Sequence, residues 1–316
     1  MAVFTKLTKK EIDQFIQNYE IGKLKSYEEI IEGIENSNYK IITNQKKYIL
    51  TIFEKRVKTK DIPFFIDLQN HLSSNVFKCP LPIKNKSGNI INEIKDKKAI
   101  LISYLEGKKI IKPSTDNCFQ VGKMIANFQQ ITKSFKKQRK NNLSISMWKK
   151  IFSKCVKVKN HKHINLIKPI EKELIYLNKN WPKKLPKGII HADLFKDNIF
   201  FKKSNLSGVI DFYFSCVDFY SYELAITTNA WCFDNNQNFI KKNFFSLIEG
   251  YNCLYSLKKQ EIENYNILLR GAAIRILLTR LHDYIFHPKD AIVVPKNPNE
   301  YFKILQWHQN NSVFDK

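Results

Sequence analysis

The stretch "GIIHADLFKDNIFF", residues 188–201, sets apolar residues that suit a buried strand beside His191, Asp193, Asp197 and Asn198. Charged groups next to surface that is to be buried are costly unless they are hydrogen-bonded or put to use. A few residues later "LSGVIDFYF", 206–214, carries Asp211 at the end of another apolar run. Read by spacing, the polar groups give His191-x-Asp193, then Asn198 five residues after Asp193, then Asp211 thirteen after Asn198.

This order, H-x-D-x-x-x-x-N followed by an aspartate at a strand end, is the one protein kinases use for phosphoryl transfer. The chemistry explains the residue types. Asp193 can accept the proton of an attacking hydroxyl. Magnesium takes hard oxygen ligands, and an amide carbonyl (Asn198) with a carboxylate (Asp211) supplies two. A lone D-x-x-x-x-N would read as a turn between strands. Four such groups in order, one after "GVI", read as the lining of a cleft. His191 is expected to orient the loop by a hydrogen bond rather than to move a proton.

Composition narrows the partners. The chain has 316 residues, 43% hydrophobic and 13% aromatic, enough for two domains or one large two-lobed one. The start "MAVFTKLTKKEI" lacks the apolar segment of a secretory signal. No apolar run approaches the roughly 18 residues needed to cross a bilayer. The six cysteines show no C-x-x-C pair or zinc spacing, so buried reduced thiols of a cytoplasmic protein are expected, with no membrane partner. The 53 Lys and Arg against 29 Asp and Glu give a net charge of +24. The lysines are spread in ones and twos over every segment and arginine is scarce. A nucleic-acid groove binder clusters its cations on one element, so no nucleic-acid partner is expected.

Outward from the quoted stretch, "TKKEIDQFIQNYE" (8–20) predicts a short helix capped by Thr8, with Glu11 completing a capping box. "SYEEIIEGIENSNYKIIT" and "KKYILTIFEK" read as strand pieces paired antiparallel across "TNQKK". Residues 61–75 suit a helix with Pro63 in its first turn, and "KKAILISYLEG" a buried strand. From about residue 114 the pattern is helical, with Cys118, Val121, Ile125 and Phe128 forming an amphipathic stripe. "IKPIEKELIYLNKNW" and most of 218–285 also read as helix. The expectation is an α+β, two-lobed, protein-kinase-like fold. A small antiparallel-sheet N-terminal lobe (1–104) binds nucleotide, and a mostly helical C-terminal lobe (105–316) carries catalysis and the substrate, with a hinge near 103–109.

The segments "HADLFKDNIFF", "VIDFYFSCVDFYSYELAITTNAWCF", "YILTIFEKRV", "DIPFFIDLQNHL" and "RGAAIRILLTRLHDY" resemble the homoserine kinases of the aminoglycoside-phosphotransferase-like superfamily, from about residue 1 to 308. "IDFYF" followed by "NAWCF" is more specific than the shared HxDxxxxN. The resemblance implies transfer of the ATP γ-phosphate, with Mg2+, onto the hydroxyl of L-homoserine, a step of threonine biosynthesis. It also implies that Tyr213 and Trp231 belong to the acceptor site. Spacing alone supports an ATP-dependent phosphotransferase.

The nucleotide end departs from the kinase pattern. "EGIENSNYKI" stands where a phosphate-covering loop is expected, with Gly33 alone and Ser37 and Asn38 as candidate donors; a plain hairpin turn is the other reading. The strand position expected to hold a phosphate-pairing lysine is Thr51, and Lys55 lies on the same side of the strand. Backbone groups of Ser103, Tyr104 and Leu105 are expected to meet adenine. For the acceptor, 270–285 read as a helix puts Arg275, Thr279 and Asp283 on a polar stripe and Arg280 among Ala273, Ile276 and Leu277. A buried Arg280 needs either a structural carboxylate, such as Glu223 or Asp218, or the substrate carboxylate. Two alternatives remain. One is a choline, methylthioribose or aminoglycoside kinase, although a polycationic aminoglycoside suits so basic a chain poorly. The other is a non-catalytic basic binding protein, which predicts decay of Asp193, Asn198 or Asp211.

Overall fold

The computed structural model describes residues 4–30, 36–54, 57–287 and 294–314. The chain divides into two compact units, one formed chiefly by Met1–Glu106 with Gly208–Tyr213, the other by Gly107–Ser207, Phe214–Lys289 and Pro295–Lys316. The stretch bearing Asp211, assigned from sequence to the second lobe, therefore belongs to the first unit.

In the first unit α1 (Lys9–Ile16) has the expected capping box: Thr8 Oγ1 accepts the Glu11 N–H at 3.3 Å, and the Glu11 carboxylate accepts the Thr8 N–H at 2.7 Å. Next come β1 (Leu24–Ile30), β2 (Ser37–Thr43), β3 (Lys47–Ile52), α2 (Ile62–Ser74), β4 (Asn92–Ile94) and β5 (Lys97–Ser103). The first strand piece read from sequence is thus two strands, β1 and β2, paired antiparallel. The sheet is antiparallel throughout, in the order β1-β2-β3-β5-β4.

Strand alternation sorts its two faces. Leu50, Ile52, Ala99 and Leu101 pack with Ile12, Phe15 and Ile16 of α1. Phe53, Ile100 and Ile102 pack with Ile62 and Ile66 of α2 on the other face. Pro63 enters α2 in its first turn, where its missing N–H has no helical partner to lose.

The second unit contains β6 (Lys108–Lys109), α3 (Thr115–Thr132), α4 (Ile145–Val156), α5 (Ile167–Asn180), β7 (Lys187–Ile190), β8 (Ile199–Lys202), β9 (Asn205–Val209), β10 (Cys216–Phe219), α6 (Tyr220–Trp231), α7 (Lys241–Asn252), α8 (Lys259–Glu263), α9 (Tyr265–Ile285) and α10 (Pro298–Asn310). The final residues of β9 lead back into the first unit. The expected stripe of α3, Cys118, Val121, Ile125 and Phe128, is buried. Every residue of α6 is buried, and so is the middle of α9, which packs against α4, α5, α6 and α10. β7 pairs antiparallel with β10. Together, β7, α6 and α9 fix the loop that begins at His191. No helix among the described residues is long and apolar enough to cross a membrane.

Candidate active site

In the second unit the loop 191–198 joins β7 to β8, and it is tied down at nearly every residue. Ala192 has φ +64°, a left-handed conformation that costs a residue with a Cβ on the order of 1–2 kcal/mol. Buried groups on two helices hold it there. The Glu223 carboxylate of α6 accepts the Ala192 N–H at 3.0 Å and also the His191 N–H. Arg275 of α9 donates from Nη1 to the Ala192 carbonyl at 2.5 Å. His191, 1% exposed, accepts the Asp193 N–H through Nδ1 at 3.3 Å, which leaves the ring proton of a neutral imidazole on Nε2.

Asp193 and Asn198 are brought together. The Asn198 amide nitrogen donates to the Asp193 carbonyl at 2.8 Å and to Asp193 Oδ2 at 3.0 Å. That leaves the Asn198 carbonyl oxygen as the ligating end of its side chain. Arg275 Nη2 lies 3.7 Å from Asp193 Oδ1. Trp231, expected at the acceptor, is instead fully buried and donates its indole N–H to the Leu194 carbonyl at 3.0 Å. A side chain with no exposed surface braces the loop from behind.

Burial pushes the Glu223 carboxyl up to about 7, against the lowering effect of the backbone N–H groups and Arg275. Its unfolded value is about 4.3. A carboxyl whose pKa is raised on folding contributes stability that is complete below the unfolded value and is lost as pH rises through the folded one. Glutamine mimics the protonated acid. The melting-temperature advantage of the native protein over Glu223→Gln should therefore shrink between pH 4.5 and 7 and then level off. A gap independent of pH over that window contradicts this titration.

In the first unit Asp211 also takes a left-handed conformation, φ +66°. Two residues on, the Tyr213 ring packs edge-on against Phe53 and Phe65, at 5.2 and 5.6 Å between centroids. Burial raises the pKa of its hydroxyl. Tyr213 is thus part of this unit's apolar cluster, a correction to its expected place at the acceptor. Thr51, 2% exposed, donates to Asn38 Oδ1 at 2.8 Å. A neutral pair, Asn38 and Thr51, occupies the strand position expected for a lysine.

The expectation for Ser37 is overturned. It is fully buried, accepts the N–H groups of Phe4 and Thr5 at 2.8 and 3.0 Å, and donates to Glu54 at 2.7 Å. Its hydroxyl ties down the N-terminal segment and is not presented to a phosphate. Asn38 keeps its amide nitrogen as a donor. At the expected hinge, the N–H groups of Ser103 and Tyr104 donate to the carbonyls of Leu81 (2.8 Å) and Lys47 (3.3 Å), so these two residues have only their carbonyls to offer adenine. Gly33 and Lys55 lie outside the described residues.

Arg280, its side chain 13% exposed, has a structural partner. Its Nη1 donates to Glu300 at 2.6 Å and to the Asn297 carbonyl at 3.1 Å, and its guanidinium lies over the Tyr301 ring at 4.6 Å. Its structural carboxylate is Glu300, at the start of α10, rather than Glu223 or Asp218. Arg280→Ala should lower stability by on the order of 1–2 kcal/mol through this lost tie between α9 and α10. The KM for acceptor should stay within about twofold. A rise in acceptor KM at unchanged melting temperature contradicts a bracing role.

The residues that reading by spacing missed are Arg275 and the role of Glu223. A signal existed: Glu223 is the single charge of α6, and Arg275 stands in the apolar middle of α9. No group of three or more His, Cys, Asp or Glu able to hold a metal occurs among the described residues.

Comparison with known proteins adds three findings. Residues 26–255 match the model of the phosphotransferase enzyme family. The homoserine kinases of Agrobacterium fabrum and Parvibaculum lavamentivorans are each 41% identical over 309 residues, covering 98% of this chain and 96% of theirs. Among solved structures, an amicoumacin kinase in complex with AMP-PNP and Ca2+ superposes with a TM-score of 0.69 at 13% identity, covering 96% of this chain and 92% of that one. This likeness shows the two-lobed, protein-kinase-like fold.

Proposed function

The chain belongs to the phosphotransferase enzyme family, among its homoserine kinases, and we propose that the loop 191–198 and Asp211 carry the reaction. The enzyme transfers the γ-phosphoryl group of ATP to the side-chain hydroxyl of L-homoserine, giving O-phospho-L-homoserine and ADP, a step of threonine biosynthesis. One observation carries the residue assignment: the Asn198 amide holds the Asp193 carboxylate at 3.0 Å within a loop fixed by buried groups. The near full-length likeness to homoserine kinases supports the acceptor.

Phosphoryl transfer passes through a loose transition state, so positioning and charge stabilisation do most of the catalysis. Asp193 takes the homoserine hydroxyl proton as that oxygen attacks the γ-phosphorus. His191 keeps the loop backbone in register through its Nδ1 bond to the Asp193 N–H. Asn198 and Asp211 offer the amide and carboxylate oxygens that suit magnesium. When bound, the metal neutralises charge on the phosphate oxygens. On this reading Asn38, Thr51 and the backbone of Ser103, Tyr104 and Leu105 serve the nucleotide, with Thr51 donating to Asn38 Oδ1 at 2.8 Å.

Purified protein with Mg-ATP and a panel of acceptors tests this reading. ADP release should be fastest by kcat/KM with L-homoserine, ahead of choline, methylthioribose and an aminoglycoside. A faster reaction with any of the others overturns the acceptor assignment.

A further inference from the structure

The middle of α9 is enclosed, yet it carries Arg275 at 2% exposure, between Ile274 and Ile276. Withdrawing a guanidinium from water is costly unless charges and hydrogen bonds replace the hydration. Arg275 finds those partners at the catalytic loop and just after β9. Nη1 donates to the Ala192 carbonyl at 2.5 Å, Nη2 lies 3.7 Å from Asp193 Oδ1, and the guanidinium stands 5.6 Å from the Phe214 ring centroid. On the other side of the same residue, buried Glu223 accepts the Ala192 N–H at 3.0 Å. Nε has no hydrogen-bond partner among the described residues. The hydrogen bond and the ion pair that it does make both fall on Ala192 and Asp193.

We propose that Arg275 is a positioning residue for phosphoryl transfer, an inference that rests on the reading of Asp193 as the base. The Ala192 carbonyl belongs to the peptide plane that links Ala192 to Asp193. Its orientation sets the direction in which the Asp193 side chain leaves the backbone. Ala192 is held at φ +64°, a conformation an alanine abandons readily when its restraints are removed. Arg275 fixes that plane from α9 and stands beside the carboxylate it directs. The helix thereby sets the aim of the base without touching ATP or homoserine.

Arg275→Lys and Arg275→Met test this. An ammonium can reach the carbonyl or the carboxylate, but it lacks the fork that spans both. kcat should fall about tenfold in the lysine variant and about 10²-fold in the methionine variant, the scale of a misplacement near 1 Å. The KM values for ATP and homoserine should each stay within about twofold. Amide hydrogen exchange in the segment 188–199 should quicken in both variants. A folded variant with kcat within about twofold of wild type overturns the proposal, whatever its melting temperature, because a plain core brace changes stability alone. A rise in homoserine KM at constant kcat overturns it too, since that marks a substrate contact. If the methionine variant does not fold, the lysine variant decides. If the wild type releases no ADP with homoserine, the reading of the reaction fails separately. Exchange in 188–199 then decides whether Arg275 holds the loop: faster exchange supports it, unchanged exchange overturns it.

Discussion

Asp193→Asn should lower kcat by about 10²–10⁴-fold, the usual worth of general-base assistance. The amide has the shape of the carboxylate and can still accept the Asn198 amide bond now made at 3.0 Å. The loop around it keeps its ties to Glu223, Arg275 and Trp231. What is lost is the ability to take a proton from the attacking hydroxyl. Nucleotide affinity should therefore stay nearly unchanged while turnover collapses. Steady-state ADP release and a nucleotide titration on the same preparation separate the two. A variant that keeps more than half of the wild-type kcat removes Asp193 from the role of base.

Asp211→Ala should fail in a different way. It strips a charged oxygen ligand from the magnesium site, so the free Mg2+ needed for half-maximal rate should rise by about tenfold or more, together with a loss of kcat. The backbone adds a complication, because Asp211 sits at φ +66°. Asparagine tolerates that conformation better than alanine and keeps a carbonyl oxygen. Asp211→Asn is therefore the control: it should raise the Mg2+ demand less than alanine does. Activity that falls while metal and nucleotide affinity both stay put contradicts the metal assignment.

The parts of the site read from sequence are those whose chemistry depends on spacing along one loop. His191, Asp193 and Asn198 lie within eight residues, and that loop brings them together because few conformations separate residues so close in the chain. Local signals also served for Thr8 with Glu11 and for Pro63, where caps and first turns are decided by neighbours. Arg275 and Glu223 were not legible in the same way. Their bonds to Ala192 span 83 and 31 residues, and no periodicity encodes a contact of that range.

The helical wheel of 270–285 misled for a physical reason. It treats polar residues as marking a solvent face, but α9 is enclosed by α4, α5, α6 and α10 and has none along its middle. Arg275, placed on the polar stripe, is buried, whereas Arg280, placed in the apolar sector, reaches the edge where Glu300 waits. Trp231 misled similarly. The resemblance implies a place for it at the acceptor, whereas it fills the core behind Leu194.

The central claim is that this loop places phosphate on the hydroxyl of L-homoserine. Phosphorus NMR of the wild-type enzyme with Mg-ATP and L-homoserine tests it directly, with 2-aminobutyrate, which lacks the hydroxyl, run in parallel. The expected result is a new phosphomonoester resonance growing in step with ADP for homoserine, none for 2-aminobutyrate, and none at equal time with Asp193→Asn. ADP formed with inorganic phosphate alone, or the same monoester made by Asp193→Asn at the wild-type rate, would contradict it.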